Sequence, residues 1–385
     1  MKKETFLYLL GLIMDGCAGL AGLGVPLLAM RIGADYGDLG AIGATGSLAY
    51  SAGCFFAGSL ADRMGYRRMM TLCSLGSALV FGAYLLVDQI WQFYAIALAG
   101  GLCNSGFWPP LQAWLGKGKG RRSLLQAVGR FNVAWSLGFL VGPALAGFLY
   151  PHGVVYVFGV AAGLAALLPL GLLFLRLREP EAETTPADTA SLAASRLFLP
   201  IAWVANFSTF FANGTVRALF PKFATDLGVS PGLLGGLVAL IGLAQTTAFL
   251  LISRTERWQF RLAPLVGVQL LAAAGLCTLA FGASPATFAV GLLIQGLLVA
   301  ATFTASIFYS LHAEGPGGQR TGIHEGIVGS GFLVGPAAGG LLADHIGPRA
   351  PFLLASAVIL AAILLQVFML QRGRNAALAT PGTAA

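Results

Sequence analysis

Twelve apolar runs, each near the ~20 residues that carry a helix across a bilayer, make up most of this chain and leave it few ways to fold. They fall at 5–30, 38–60, 69–87, 90–113, 123–149 and 153–175, then at 197–220, 231–252, 261–283, 286–310, 321–343 and 350–370. Inside lipid only helices and closed barrels satisfy every backbone polar group, and continuous apolar runs of this length are helical. Composition agrees: 57% of the 385 residues are hydrophobic and 10% charged, against about a quarter charged in a soluble domain. The 53 glycines suit closely packed membrane helices. The expected fold class is an all-α integral membrane protein of about twelve transmembrane helices.

The net charge of +8 is carried in short clusters between the runs. That pattern fits membrane orientation, not a nucleic-acid face. If the sides alternate from a cytoplasmic N-terminus, 18 of the 23 Lys and Arg lie in cytoplasmic segments. Arg31, Lys222 and Arg349 lie outside, and Arg130 and Arg217 fall within spans. Both termini are then cytoplasmic, and the membrane is the cell membrane. The opening Met1-Lys2-Lys3 precedes an apolar stretch reaching Met30, too long for a signal-peptide core, so it reads as a retained first span. Met14-Asp15-Gly16 is a poor lipoprotein signal ahead of Cys17. The five cysteines show no CxxC or His/Cys spacing, so no metal or disulfide framework is expected.

The chain also repeats itself. Gly138-Phe139-Leu140-Val141-Gly142-Pro143-Ala144 returns 193 residues later as Gly331-Phe332-Leu333-Val334-Gly335-Pro336-Ala337. The offset is half the chain, so the repeat marks the fifth span of each six. The expected domains are a six-helix bundle over 1–175, a cytoplasmic linker over 176–196, a second bundle over 197–370 and a disordered cytoplasmic tail from 371. Inverted or parallel repeats of this kind place a substrate site between the halves. Gly138, Gly142 and Ala146, like Gly331, Gly335 and Gly339, recur every four residues and form small-residue stripes for close helix contact. Pro143 and Pro336 are expected to kink or weaken those helices. Packing alone explains the glycines; flexing during a functional cycle is the alternative.

After span 2 the chain reads Gly58-Ser59-Leu60-Ala61-Asp62-Arg63-Met64-Gly65-Tyr66-Arg67-Arg68. This closely resembles the signature loop between spans 2 and 3 of the major facilitator superfamily, with Tyr66 where Arg is often found. The Gly-Pro repeat is similar to that family's span-5 signature, usually associated with antiporters. The resemblance implies two pseudo-symmetric six-helix bundles, alternating access and a cytoplasmic gate. Gate candidates are Gly58, Asp62, Arg63, Gly65, Arg67, Arg68 and, from span 5, Arg130. A basic loop that only fixes topology is the plainer reading. Two features depart from the family: Ser253-Arg254-Thr255-Glu256-Arg257 is a poor second copy of the loop, and span 4 lacks the Arg of many proton-coupled drug exporters.

Ionisable residues within a span are costly and are functional candidates by default. Asp15, ten residues into span 1, suits proton binding; a carboxyl satisfied by a neighbouring helix is the alternative. His324 and Glu325 open span 11, where Glu325 can carry a proton, pair with Arg130, or belong to a capping cluster. Arg217 shares a helix face with Asn206 and Asn213 and can attract an anion, act as an outer gate, or snorkel to headgroups. Asn104 and Trp108 (with Gln112), Asn132 and Trp135, Gln245, Gln295 and Tyr309 complete a candidate cavity lining of aromatic and amide groups with few charges. Such a lining fits a largely apolar or weakly polar solute.

The leading expectation is a proton-coupled exporter of small amphipathic or drug-like molecules, working as a monomer with no cofactor. An uptake carrier or facilitator for a small metabolite such as a sugar, carboxylate or amino acid is the alternative, and a non-transporting sensor or assembly protein with the same fold is a third. No nucleophile–base pair or phosphate loop suggests an enzyme.

Overall fold

The fold is described from a computed structural model, covering residues 3–116, 121–174, 189–312 and 317–378. The first half contains α1 (Lys3–Ile32), α2 (Tyr36–Met64), α3 (Tyr66–Ala83), α4 (Ile90–Ser105), α5 (Trp108–Gly116), α6 (Arg121–Leu149) and α7 (Val154–Phe174). The second contains α8 (Thr189–Asp226), α9 (Pro231–Ile252), α10 (Leu262–Phe281), α11 (Pro285–His312), α12 (Gly317–His345) and α13 (Ala350–Leu378). Ten of these helices are each long and apolar enough to cross a bilayer. The broken pair α4–α5 and the 38-residue α8 complete twelve crossings.

The fourth span is not the single helix that its hydropathy suggests. Trp108-Pro109-Pro110 ends one helix and starts another, with the turn at Gly106 and Phe107. Proline disfavours helical geometry in the residue before it. It also lacks an N–H, which costs nothing in the first turn of a helix, where those donors are unpaired anyway. The same two prolines therefore break α4 and begin α5. Other boundaries also move. The expected linker ran to Arg196, but α8 already begins at Thr189, and the tail expected to be disordered from Gln371 continues as helix to Leu378. Residues 175–188 of the linker and 379–385 of the tail lie outside the described residues.

The halves pack alike. In the first, α1 packs on α6 and α7, α2 on α4, and α3 on α7; in the second, α8 packs on α12 and α13, α9 on α11, and α10 on α13. The repeated glycines set the first of these contacts. A Cβ at Gly142 would stand 2.6 Å from the Gly16 carbonyl oxygen and 2.8 Å from Gly19 Cα on α1. One at Gly331 would stand 2.8 Å from the Phe207 oxygen on α8. Pro143 and Pro336 leave α6 and α12 continuous rather than broken.

These obstacles are backbone and cannot rotate away, so Gly142→Leu is expected to destabilise the fold by about 1–3 kcal/mol, the usual cost of overpacking. Gly163→Leu should be neutral, because nothing lies within 4 Å of a Cβ there. Thermal unfolding of the two detergent-solubilised variants checks this; equal midpoints would refute the packing role of Gly142.

Two long seams, α2 against α12 and α6 against α9, join the halves. They are glycine seams: Gly40 meets Pro336 and Gly340, and Gly147 meets Pro231 and Gly235. Each repeat thus packs its own bundle on one face and the opposite bundle on the other. At the end remote from the chain termini, Asp344 Oδ2 accepts from Gly37 N at 2.8 Å and Asp226 Oδ2 accepts from Tyr36 OH at 2.8 Å. The first bond places a carboxylate at the N-terminus of α2, where helix dipole and free N–H groups favour it. Near mid-depth Ser51 Oγ donates to Gly326 O at 2.8 Å, and toward the terminal end Thr321 Oγ1 donates to Pro109 O at 3.3 Å. The halves are therefore joined at both ends of the molecule.

Candidate functional site

Between the halves lies a cavity of about 390 Å³, within the range of small-molecule sites. Its wall is mainly apolar and carries the rings of Trp108, Phe131, Trp135, Phe139, Phe210, Phe303 and Phe332. The polar groups are few and come from both halves. Asp15, Asn104, Gln112 and Tyr50 belong to the first, and Asn213, Arg217, Gln245 and Glu325 to the second.

Asp15 sits mid-helix on α1, and its Oδ2 meets no hydrogen-bond donor among the described residues. The charge acting on it most favourably is Arg217 on α8, although the two form no ion pair within 4 Å among the described residues. The Arg217 guanidinium instead lies 4.4 Å from the Phe139 ring centre and 5.6 Å from that of Phe332. Those phenylalanines are equivalent positions of the two repeats. Gly22 makes room for it, since a Cβ there would come within 3.0 Å of Arg217 Nη2.

Glu325 is the hub of a second cluster. It is 4% exposed. Its Oε2 accepts from Tyr50 OH on α2 at 2.5 Å, and its Oε1 accepts from Gln112 Nε2 on α5. Both bonds cross between the halves. His324 beside it is fully buried, bonds Ser306 Oγ through Nδ1 at 2.7 Å and lies edge-on to Phe303. The expected Glu325–Arg130 pair is not formed: Arg130 is exposed on α6, and Tyr50 and Gln112 hold the carboxylate.

Four expected lining residues lie behind the wall. Asn132 accepts from Trp135 Nε1 at 3.2 Å and so positions that indole. Asn206 and Gln295 are buried, each with side-chain atoms that find no partner. Tyr309 packs among Phe198, Trp258 and Phe260, and its hydroxyl accepts from Phe260 N at 2.7 Å. Tyr50 is a polar cavity residue that hydropathy does not flag, because a tyrosine in an apolar run reads as one more large side chain. Its neighbours on the same helix face, Gly43, Gly46 and Ser47 at seven, four and three residues before it, all small and all on the cavity wall, are the available signal.

A family model described as the Major Facilitator Superfamily matches residues 7–313 and 202–384. This chain belongs to the major facilitator superfamily. Among its relatives, "Multidrug resistance protein MdtG" of Dickeya zeae (strain Ech586) is 27% identical, covering 83% of this chain and 81% of that protein. "Multidrug resistance protein 2" of Bacillus subtilis (strain 168) is 25% identical over 98% of both. The solved structure of the human organic anion transporter MFSD10 (TETRAN) superposes with a TM-score of 0.71 at 19% identity, covering 95% of this chain and all of that one. The chain is accordingly a multi-pass membrane transporter and not an enzyme.

The superfamily's loop signature has clear geometry here. Gly65 takes φ +89°, which lets α2 turn into α3 through that single residue. Tyr66 donates to Asp62 Oδ1 at 2.7 Å. Arg67 donates through Nε to Leu172 O at 2.5 Å and through Nη2 to Leu173 O, capping the last carbonyls of α7. These contacts stay within the first half, so Asp62 and Arg67 do not bridge the halves in this state, while Arg63 and Arg68 are exposed. Gly58 is buried on α2. Among the described residues, Glu325, Ser51 and Thr321 tie the halves directly in the terminal half of the α2–α12 seam.

Proposed function

We propose that this transporter exports small amphipathic, drug-like molecules in exchange for protons. It would do so as a monomer in the cell membrane with both termini cytoplasmic. The observation that carries the reading is the cavity itself, an apolar chamber with several aromatic rings between two repeats, where Asp15 Oδ2 meets no donor among the described residues. Burying a carboxylate in so apolar a setting is unfavourable unless it is paired or takes up a proton. The body of an amphipathic solute fits the rings. The charge-biased end of the molecule, where 18 of 23 basic residues gather if sides alternate, supports a cytoplasmic assignment for the termini. Multidrug resistance names among the relatives favour export over uptake.

Alternating access follows from the two seams. A proton entering from the outer side would occupy a carboxyl; solute leaving would reset the cavity; the glycine seams would rock between open ends. The test is dequenching of a pH-sensitive dye in everted vesicles acidified by respiration. Adding a panel of amphipathic drugs is expected to raise lumenal pH only where this chain is present. An unchanged signal across the panel, with solute-for-solute counterflow intact in proteoliposomes, would overturn proton coupling.

A further inference from the structure

We infer that Arg217 is the receptor for an anionic group on the transported molecule, so that the preferred substrates are amphipathic organic anions with an aromatic or aliphatic body. This rests on the reading of the cavity as the transport site and names its substrate class. It does not rest on proton exchange, because a proton on Asp15 would favour a bound anion, so exchange against a proton at Asp15 applies to solutes without a negative charge. A guanidinium deep in a membrane bundle normally has a carboxylate, carbonyls or phosphate on its five donors. Arg217 makes no hydrogen bond or ion pair among the described residues. It is held by its face instead, with Phe139 and Phe332 at 4.4 and 5.6 Å. Stacking of this kind engages the plane of the group and leaves its N–H edge available to a carboxylate, which it fits bidentately.

The surroundings agree. Arg217 lines the cavity, and Gly22 clears the space beside Nη2. Asn213, one helical turn away on the same wall, has an Oδ1 with no partner, so its amide is not committed to a neighbour through that atom. The competing anions are accounted for: Glu325 is taken by Tyr50 and Gln112. Asp15 acts on Arg217 through space without bonding it. Asp15 is therefore a counter-ion that a substrate anion would displace electrostatically, and neutralising it should strengthen anion binding.

The test uses the purified full-length protein in maltoside micelles and equilibrium dialysis of aryl acetates. The probes are 1-naphthaleneacetate and 4-biphenylacetate, each beside its uncharged amide and its primary amine. At least one acid is expected to bind about tenfold or more tighter than its amide, the scale of one charge-assisted contact. Arg217→Gln should abolish that preference while the amide still binds. Asp15→Asn should raise affinity for the acid severalfold and leave the amide unmoved, a gain that general damage to the fold cannot produce. No acid binding better than its amide, an amine binding tightest, or a preference that survives Arg217→Gln would overturn the inference. Proton-coupled transport of uncharged drugs would then still stand, since dye dequenching reads it separately.

Discussion

Replacing Asp15 by Asn is expected to uncouple transport from the proton gradient. The asparagine is nearly isosteric, so the cavity keeps its shape and the rings keep their contacts. What is lost is, among the described residues, the only titratable group on the wall of the first half whose oxygen has no donor. With the membrane potential clamped, one-for-one exchange converts each pH unit into about a tenfold solute gradient, because a pH unit and a tenfold concentration ratio are both about 1.4 kcal/mol. Reconstituted wild type under a gradient of about two pH units should therefore sustain a solute ratio of about 100. Asp15→Asn should bring that ratio to about one. Solute-for-solute counterflow should persist in the variant, and for an anionic solute at lower concentration, because Arg217 has lost its competitor. Radiolabelled solute in proteoliposomes measures both quantities. A variant that still concentrates solute would remove Asp15 from the coupling path.

The architecture was readable because lipid permits so few solutions. Run length gave the twelve crossings, and a repeat at half the chain length divided them. What hydropathy misjudged was local. Pro109-Pro110 sits in an apolar run and leaves its mean unchanged, yet it splits the helix. The same blindness hid the start of α8, where Thr189 and its successors are helical without being apolar.

The site was partly readable for a related reason. Charges inside a span are rare enough that each one points somewhere, and Asp15, Arg217 and Glu325 all reach the cavity. Neutral amides carry no such weight. Asn104, Asn213 and Gln245 reach the wall, whereas Asn132, Asn206 and Gln295 turn into helix contacts. A one-residue rotation on a helix separates these outcomes, and it is fixed by packing that a single chain's periodicity does not encode. Partnership is harder still. Arg130 and Glu325 looked matched by position in the two halves, but pseudo-symmetry relates a residue to its counterpart, not to its contact. The repeated Gly-Pro motif shows the same point favourably: its glycines were legible as a packing stripe, while the seams that Pro336 and Gly340 make with Gly40, and Pro143 and Gly147 with Gly235, depend on the other half being present.

Glu325→Gln is expected to loosen the terminal end of the interface, and a native cysteine reports it. Glu325 is the one carboxyl in the cavity wall that is bonded across the halves, to Tyr50 and Gln112. Bonds to an ionised carboxylate are roughly twice as strong as neutral ones, so losing the charge weakens both at once. A net loss of about 1.5 kcal/mol shifts the balance between joined and parted halves by about tenfold. Proton uptake by Glu325 would do the same reversibly, which makes this cluster a latch that a proton releases. Cys54 is fully buried on α2 where the seam closes: a Cβ at Gly322 would lie 2.6 Å from its carbonyl oxygen. In a background with Cys17, Cys73, Cys103 and Cys277 replaced by Ser or Ala, a membrane-permeant maleimide should label Cys54 about tenfold faster in Glu325→Gln than in the parent. Tyr50→Phe removes one of the two bonds and should give an intermediate rate. His324→Gln should move the rate less than Glu325→Gln, since His324 bonds Ser306 within the second half and only stands 3.8 Å from Glu325 Oε1 without tying the halves together. Equal labelling of Cys54 with and without the carboxylate would show that the halves are held by their glycine seams alone, and that Glu325 is a proton site without a latch.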